Sequence, residues 1–327
     1  MIDDGGEPQP VNTRIFSDGR TKDFKQGWFN WVVAVGTMTI YTGWMHILIL
    51  LTLGCFFSRT CLMVWVAIMS TLLLPPKPVL WTAFCQCWAF KTWREYFNFS
   101  YLNETLLDNK KTFIFVEFPH GVYPMSELIA GTLCQAIWPS FNIYSVAASS
   151  VFSIPFWRHF IAWMGSVPAT RGNFKRILKK GSVAVVVGGI AEMYMQHARK
   201  ERIILKDRKG FVRIAVEEGI DGGVVPVYHF GNTKVFDFVP QALQQRSRRL
   251  RSALGFLVGR WGLPVPRQVD LYMVSGPPVR VKQLPRDHPD FEAEVDRVHG
   301  LVLSSLQELY DRHKASYGWA DRPLSIE

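Results

Sequence analysis

The sequence predicts an α/β fold, a mainly parallel sheet flanked by helices, behind an N-terminal membrane helical hairpin. Three observations predict it. From Trp31 to Pro76 the only formally charged residue is Arg59. After residue 110 the texture changes to short apolar runs alternating with amphipathic segments, the pattern of a sheet wrapped by helices. The chain then closes on a long amphipathic stretch with Phe291, Val295, Val298, Val302, Leu306 and Leu309 along one face.

The first 27 residues are polar and of mixed charge and read as a flexible tail. A secretory signal is disfavoured by the acidic start and by the length of the apolar stretch that follows. Residues 28–76 are too long for one span of about 20 residues and fit two, Trp28–Leu50 and Cys55–Leu74, turning near Phe57-Ser58-Arg59. A re-entrant wedge that never crosses is the alternative. Arg14, Arg20, Lys22 and Lys25 precede the hairpin and Lys77, Lys91 and Arg94 follow it, which sets both ends on the cytosolic side. Asn98 and Asn103 head glycosylation acceptor triplets that this topology leaves bare.

Residues 77–327 form the domain proper. Thr112–Phe118 (TFIFVEF) reads as a buried strand, Met125–Trp138 as a helix and Asn142–Ala148 as a second strand. A helix follows over Val151–Met164, a short strand over Val167–Thr170 and a basic helix over Asn173–Lys180. Ser182–Val187 (SVAVVV) is the clearest strand in the chain. Then come a short strand at Arg202–Leu205, a helix at Gly210–Glu218, strands at Gly223–Tyr228 and Val269–Val274, and the C-terminal helix over 288–316. No internal repeat interrupts the series.

Composition narrows the function classes. Apolar residues make up 48% and charged residues 20%, which excludes disorder and falls short of a polytopic membrane protein. The formal net charge of +10 calls for an anionic partner, and 12 Trp with 23 Phe favour a headgroup layer over a nucleic-acid groove. The five cysteines, Cys55, Cys61, Cys85, Cys87 and Cys134, are odd in number and lack a C-x-x-C pair, so a reduced compartment is the simpler reading. Three basic clusters carry the charge: Arg171–Lys180, Arg199–Arg213, and six Arg with no acid between Asp237 and Asp270. In the third, Gln241–Trp261 reads as a basic amphipathic helix, with Arg246, Arg248, Arg249 and Arg251 among its leucines, suited to an anionic bilayer surface. The first two suit either solvent or the phosphates of a nucleotide-bearing substrate.

In open parallel sheets, ligands bind beyond the carboxyl ends of the strands. Two such ends stand out. TFIFVEF runs into Pro119-His120-Gly121, and SVAVVV into Gly188-Gly189-Ile190-Ala191-Glu192. If both strands are parallel members of one sheet, His120 and Glu192 share an edge, where a carboxylate beside a neutral imidazole makes a general base. Gly121, Gly188 and Gly189 let backbone approach a substrate, and their N–H groups suit an oxyanion. The bland alternative is a satisfied loop histidine beside an ordinary glycine turn. His229, after GVVPVY, is the rival histidine. No ligand spacing suggests a metal, and no Gly-x-Ser-x-Gly elbow or P-loop is present.

These residues also resemble the type 2 diacylglycerol acyltransferases and their monoacylglycerol and wax-alcohol relatives, over about residues 28–316. The family's His-Pro-His-Gly is matched by Phe118-Pro119-His120-Gly121, and its Gly-Gly-x-x-Glu-Ser by Gly188-Gly189-Ile190-Ala191-Glu192-Met193. The most specific stretch is Arg208-Lys209-Gly210-Phe211-Val212-Arg213-Ile214-Ala215, continuing through Gly219 to Val225-Pro226-Val227-Tyr228-His229-Phe230-Gly231. Phe118 stands where the family has its first His, and Met193 where it has Ser. The His-x-x-x-x-Asp of related phosphate-ester acyltransferases is absent, because Met125 fills the acid's place.

The resemblance implies a glycerolipid-acyltransferase-like fold with no metal and no resident cofactor. It implies acyl transfer from acyl-coenzyme A to diacylglycerol, giving triacylglycerol at the endoplasmic reticulum and lipid droplets. Monoacylglycerol, a fatty alcohol or a sterol as acceptor, or a non-catalytic droplet anchor, are the other readings, and homo-oligomerisation stays open. Catalysis falls to His120 with Glu192 as its orienter, Glu127 being the lesser candidate. Substrate binding falls to Phe118, Pro119, Gly121, Gly188, Gly189, Arg208, Gly210, Phe211 and Arg213.

Overall fold

A computed structural model describes residues 15–21, 24–138, 141–250 and 254–327. Most of the expected N-terminal tail and Arg251 lie outside the described residues, as does the side chain of Arg248. Twelve strands follow in chain order: β1 Ile15–Phe16, β2 Ser100–Asn103, β3 Phe113–Phe118, β4 Ile143–Ala147, β5 Ser166–Pro168 and β6 Ser182–Val186 come first. They continue with β7 Glu201–Ile203, β8 Gly223–Phe230, β9 Asp237–Val239, β10 Phe256–Val258, β11 Tyr272–Ser275 and β12 Leu324–Ile326.

Eight strands form the main sheet in the order β1-β2-β11-β8-β3-β6-β4-β5. The run β8-β3-β6-β4-β5 is parallel throughout. Antiparallel pairing enters where β11 meets β8 and where β1 meets β2, so the sheet is mixed. β3 sits in the middle, and every one of its residues is buried, as expected of a parallel strand covered on both faces. Its alternation feeds two cores. Phe113 and Phe115 join one with the Met125–Ile137 helix, whereas Ile114, Val116 and Phe118 join the other with the Phe291–His313 helix. Glu117 belongs by alternation to the first face and is the one carboxylate in a wholly buried strand.

Several elements depart from the sequence reading. The Val151–Met164 helix is broken at Pro155 into a 3₁₀ turn, Ser149–Ser153, and a helix, Trp157–Trp163. The long basic helix over Gln241–Trp261 does not form. A seven-residue helix, Gln244–Leu250, is followed by β10, which pairs with β9 as a hairpin. Gly255, Gly259 and Gly262 interrupt the leucine period, and the chain turns back so that Arg260 N–H donates to the Val265 carbonyl at 2.7 Å. The short strand β7 pairs with C-terminal β12 rather than joining the main sheet.

The apolar N-terminal region forms three helices: α1 Trp28–Thr42, α2 Trp44–Gly54 and α3 Arg59–Ser70. α1 and α2 meet at Gly43 with a 70° bend, and no single described helix is long and apolar enough to cross a membrane. α1 buries Ala34, Met38 and Tyr41 in the first core, and Thr37 Oγ1 accepts a 2.7 Å hydrogen bond from Trp93 Nε1. α2 and α3 bury no residue at all. Asn103, in the second glycosylation triplet, is buried at the sheet edge, where its Oδ1 accepts from Ser275 Oγ at 2.9 Å.

Candidate active site

The parallel pairing of β3 with β6 brings both predicted strand ends to one edge. β3 stops at Phe118, whose side chain is fully buried in the second core and supports the loop from beneath. Pro119 is also buried, and its peptide bond with Phe118 is cis. His120 follows, half-buried. Its Nδ1 lies 3.0 Å from the Gly121 carbonyl. A carbonyl only accepts, so Nδ1 carries the ring proton and Nε2 keeps its lone pair. No described residue occupies Nε2. Burial lowers the imidazole pKa, against a smaller upward pull from the Gly121 carbonyl, so the ring is neutral at pH 7.

Glu192 stands at the same edge, 2% exposed, but it does not touch the imidazole. Its Oε2 accepts the backbone N–H of His120 at 2.7 Å, and its Oε1 accepts that of Ile204 at 2.8 Å. The predicted orientation of the ring by Glu192 is therefore replaced by orientation of the loop. Desolvation pushes the Glu192 carboxyl up to about 7, the backbone donors pulling it back only in part. Gly188 is explained by the same contact, since a Cβ there would overlap the carboxyl group of Glu192. Gly121 adopts the left-handed conformation (φ +59°), which a side chain would strain.

The loop is held on its other side by Asn232, which the sequence reading missed. Its Nδ2 donates to the carbonyls of Pro119 and His120 at 3.0 and 3.2 Å. Its Oδ1 accepts the N–H groups of Met125 and Ser126, both at 3.1 Å, at the start of the Met125–Ile137 helix. Only its position, directly after the Phe230-Gly231 end of the family stretch, signalled it.

The rival histidine is excluded from the edge. His229 lies inside β8, fully buried, with Nδ1 2.8 Å from Ser126 Oγ, and burial pushes its pKa down to about 3. Glu127 is buried with neither carboxyl oxygen partnered and makes no hydrogen bond to His120. Desolvation, then Glu117 and Glu192 nearby, hold it well above the usual carboxylate range, and desolvation alone pushes Glu117 up to about 8. Both are thus neutral acids at pH 7.

The family stretch around residue 210 makes its contacts elsewhere. Arg213 pairs with Glu292 at 2.9 Å and Lys209 with Asp296 at 2.7 Å, both partners on the C-terminal helix. Phe211 is buried in the second core, whereas Arg208 and Gly210 are exposed. Lys209, Phe211 and Arg213 thus dock the Gly210–Glu218 helix, and no hydrogen bond or ion pair among the described residues joins them to His120. A small pocket does adjoin the edge, lined by Gly121, Glu192, Gln196, Lys200 and Thr233. Beneath it Glu201 is 1% exposed and paired with Arg322, which also donates to the carbonyls of His197 and Ala198. Among the described residues no group of His, Cys, Asp and Glu is arranged to hold a metal ion, and all five cysteines are free.

The chain is 30% identical over 258 residues to diacylglycerol O-acyltransferase 2-like protein 6 of Bos taurus, covering 71% of this chain and 75% of that protein. It is 29% identical over 245 residues to diacylglycerol O-acyltransferase 2 of Dictyostelium discoideum (69% and 73% covered). It is 26% identical over 251 residues to acyl-CoA wax alcohol acyltransferase 2 of Homo sapiens (70% and 74% covered). Among solved structures, the 1-acyl-sn-glycerophosphate acyltransferase PlsC of Thermotoga maritima is similar at 14% identity and a TM-score of 0.42, covering 86% of this chain and 94% of that one. The diacylglycerol acyltransferase family model matches residues 60–327. The chain belongs to the diacylglycerol acyltransferase family, and is an acyl-CoA-dependent O-acyltransferase.

Proposed function

We propose that this protein transfers a fatty acyl group from acyl-coenzyme A to diacylglycerol, forming triacylglycerol, with His120 as the general base. One observation carries the base assignment: Nδ1–H is tied to the Gly121 carbonyl while Nε2, neutral and unoccupied, stands at the sheet edge. The acceptor hydroxyl oxygen attacks the thioester carbonyl as its proton passes to Nε2. The tetrahedral intermediate collapses with cleavage of the C–S bond, and the imidazolium returns the proton to the departing thiolate. No proton is gained or lost overall. Glu192 and Asn232 act as positioning residues, fixing the backbone of the loop that presents the ring. The reaction is placed at the cytosolic face of the endoplasmic reticulum or droplet membrane, where both the dissolved acceptor and the amphipathic donor are at hand. The apolar α1–α2 pair supports that placement.

General-base catalysis of this kind is typically worth about 10²–10⁴-fold. His120→Ala should therefore remove turnover by that margin while expression and membrane association persist. Membranes containing the wild-type or variant protein, incubated with labelled acyl-coenzyme A and each acceptor in turn, give the test. Wild-type rates in the variant would refute the base. Labelled wax ester or diacylglycerol as the main product, in place of triacylglycerol, would move the acceptor to a fatty alcohol or monoacylglycerol.

A further inference from the structure

The unit formed by α2 and α3 has a shape that bears on how the enzyme meets its membrane. The two helices are joined by a turn at Phe56–Ser58 and linked by a 3.0 Å hydrogen bond from Trp65 Nε1 to Thr52 Oγ1. At the turn Phe56 and Phe57 are 80% and 89% exposed. At 1.5 Å rise per residue, the 11 residues of α2 and 12 of α3 span about 16 and 18 Å. A hydrocarbon core is about 30 Å thick. The unit therefore reaches about the bilayer midplane and no further.

Both legs are anchored to the domain at their base. Trp44 Nε1 donates to the Pro155 carbonyl at 3.1 Å, and Thr71 Oγ1 accepts from the Phe156 N–H at 2.8 Å. The wedge cannot swing freely into a longer, straight span without breaking these contacts.

Exposed and half-buried aromatic rings from distant parts of the chain form a collar that runs from the start of α1 to the base of α2. Phe29 stacks on Trp88 with centroids 5.7 Å apart, and Phe156 sits 5.5 Å from Trp44. The β9–β10 hairpin adds Phe256, 6.0 Å from the His46 ring, and Trp261, 62% exposed. It is fastened to the bend between α1 and α2 by Thr42 Oγ1, which donates to the Pro264 carbonyl at 2.7 Å. The Arg260 guanidinium lies 4.7 Å from the Trp261 ring and 5.5 Å from that of Trp31. Arg246 and Arg249 are exposed on the helix just before β10, and no acid occurs between Asp237 and Asp270. Aromatic rings at the level of arginines, around an apolar projection, match the layering of an anionic headgroup region above acyl chains.

We propose that α2 and α3 insert into a single leaflet, and that the collar sets the depth, with the Phe256–Trp261 hairpin as a second foot on anionic phospholipid. The test uses the full-length protein in phosphatidylcholine–phosphatidylserine vesicles carrying photoreactive phospholipids. One probe has its diazirine next to the glycerol, the other next to the terminal methyl. The deep probe should label the Phe56–Phe57 turn, and the shallow probe the peptides holding Trp88, Phe256 and Trp261. Replacing phosphatidylserine by phosphatidylcholine should lower shallow labelling of the hairpin at least threefold. Absence of label on the hairpin, or labelling indifferent to phosphatidylserine, would overturn the second foot. Cys55 and Cys61 flank the turn. Their modification by an impermeant maleimide trapped inside the vesicles, with the domain outside, would overturn single-leaflet insertion.

Discussion

Replacing Glu192 by Gln isolates what its carboxylate does for the loop that presents His120. The side chain keeps its size, so the space left by Gly188 stays filled. One oxygen becomes an NH₂ group, however, and must face the backbone N–H of either His120 or Ile204. A buried donor left without an acceptor costs about 1–3 kcal/mol. If that falls on the loop, turnover drops by roughly 10- to 100-fold, at about 1.4 kcal/mol per tenfold. The pH profile separates this from a general loss of stability. The Glu192 carboxyl is pushed up to about 7 and the His120 imidazole is lowered from its ordinary range. As pH falls through about 7, Glu192 gains a proton and becomes a poorer acceptor for the N–H groups of His120 and Ile204, while His120 stays neutral. The acid limb of wild-type kcat/KM should therefore lie near pH 7 and report Glu192. In Glu192→Gln the residual activity should stay level through that range and fall only at lower pH, where His120 protonates. Initial rates from pH 5 to 9 on matched membranes give the comparison. An unchanged limb near pH 7 in the variant would refute the reasoning.

Three further outcomes follow from the same contacts. Gly188→Ala drives a methyl group into the Glu192 carboxyl and should lose at least tenfold in turnover without altering any ionisable group, measured as kcat on membranes. Asn232→Ala removes four hydrogen bonds joining the His120 loop to the start of the Met125–Ile137 helix. It should lower the melting temperature, at a cost of about 2–4 kcal/mol from the unpaired buried groups, and lower kcat more than acceptor KM. Glu117, pushed up to about 8, binds its proton more tightly folded than unfolded. Its contribution to stability is present below the ordinary carboxylate pKa and is lost as pH rises through about 8. Glu117→Gln should accordingly flatten the fall in melting temperature between about pH 5 and pH 8 in detergent.

How much of this was legible in the sequence depends on how local its cause is. β3 and β6 announce themselves as apolar runs, and their parallel pairing follows from the intervening helices, so the meeting of His120 with Glu192 at one edge could be read directly. The contact between them could not. Residue types favour a carboxylate on the imidazole, but the side chain reaches backbone N–H groups because the loop curls over it. Asn232 was invisible for a related reason. Its four bonds link segments over a hundred residues apart, and an asparagine after a glycine reads first as a turn. The basic stretch before Trp261 misled because a leucine period was given more weight than three glycines. Family likeness assigns Arg208, Gly210, Phe211 and Arg213 to substrate; in the structure Arg213 pairs with Glu292 on the C-terminal helix and Phe211 is buried in the second core.

The N-terminal apolar stretch was the hardest to read, because composition treats it as one object and the fold divides it in two. α2 and α3 bury nothing, whereas α1 is a core helix of the domain. Tyr41, two residues before the bend at Gly43, packs 6.0 Å from the ring of Tyr123 and 5.4 Å from that of Trp157. Tyr123 is three residues beyond His120, on the segment that Asn232 clamps from the opposite side. The helix leading into the α2–α3 unit and the loop presenting the His120 imidazole therefore share one wall of aromatic rings. Cutting the chain after the apolar stretch would remove that wall as well as the anchor, and would leave Trp93, Tyr123 and Trp157 facing water. Presentation of His120 and the membrane attachment proposed above are in this respect a single structural problem, joined at a bend that sends one half of an apolar segment into the core and leaves the other half outside it.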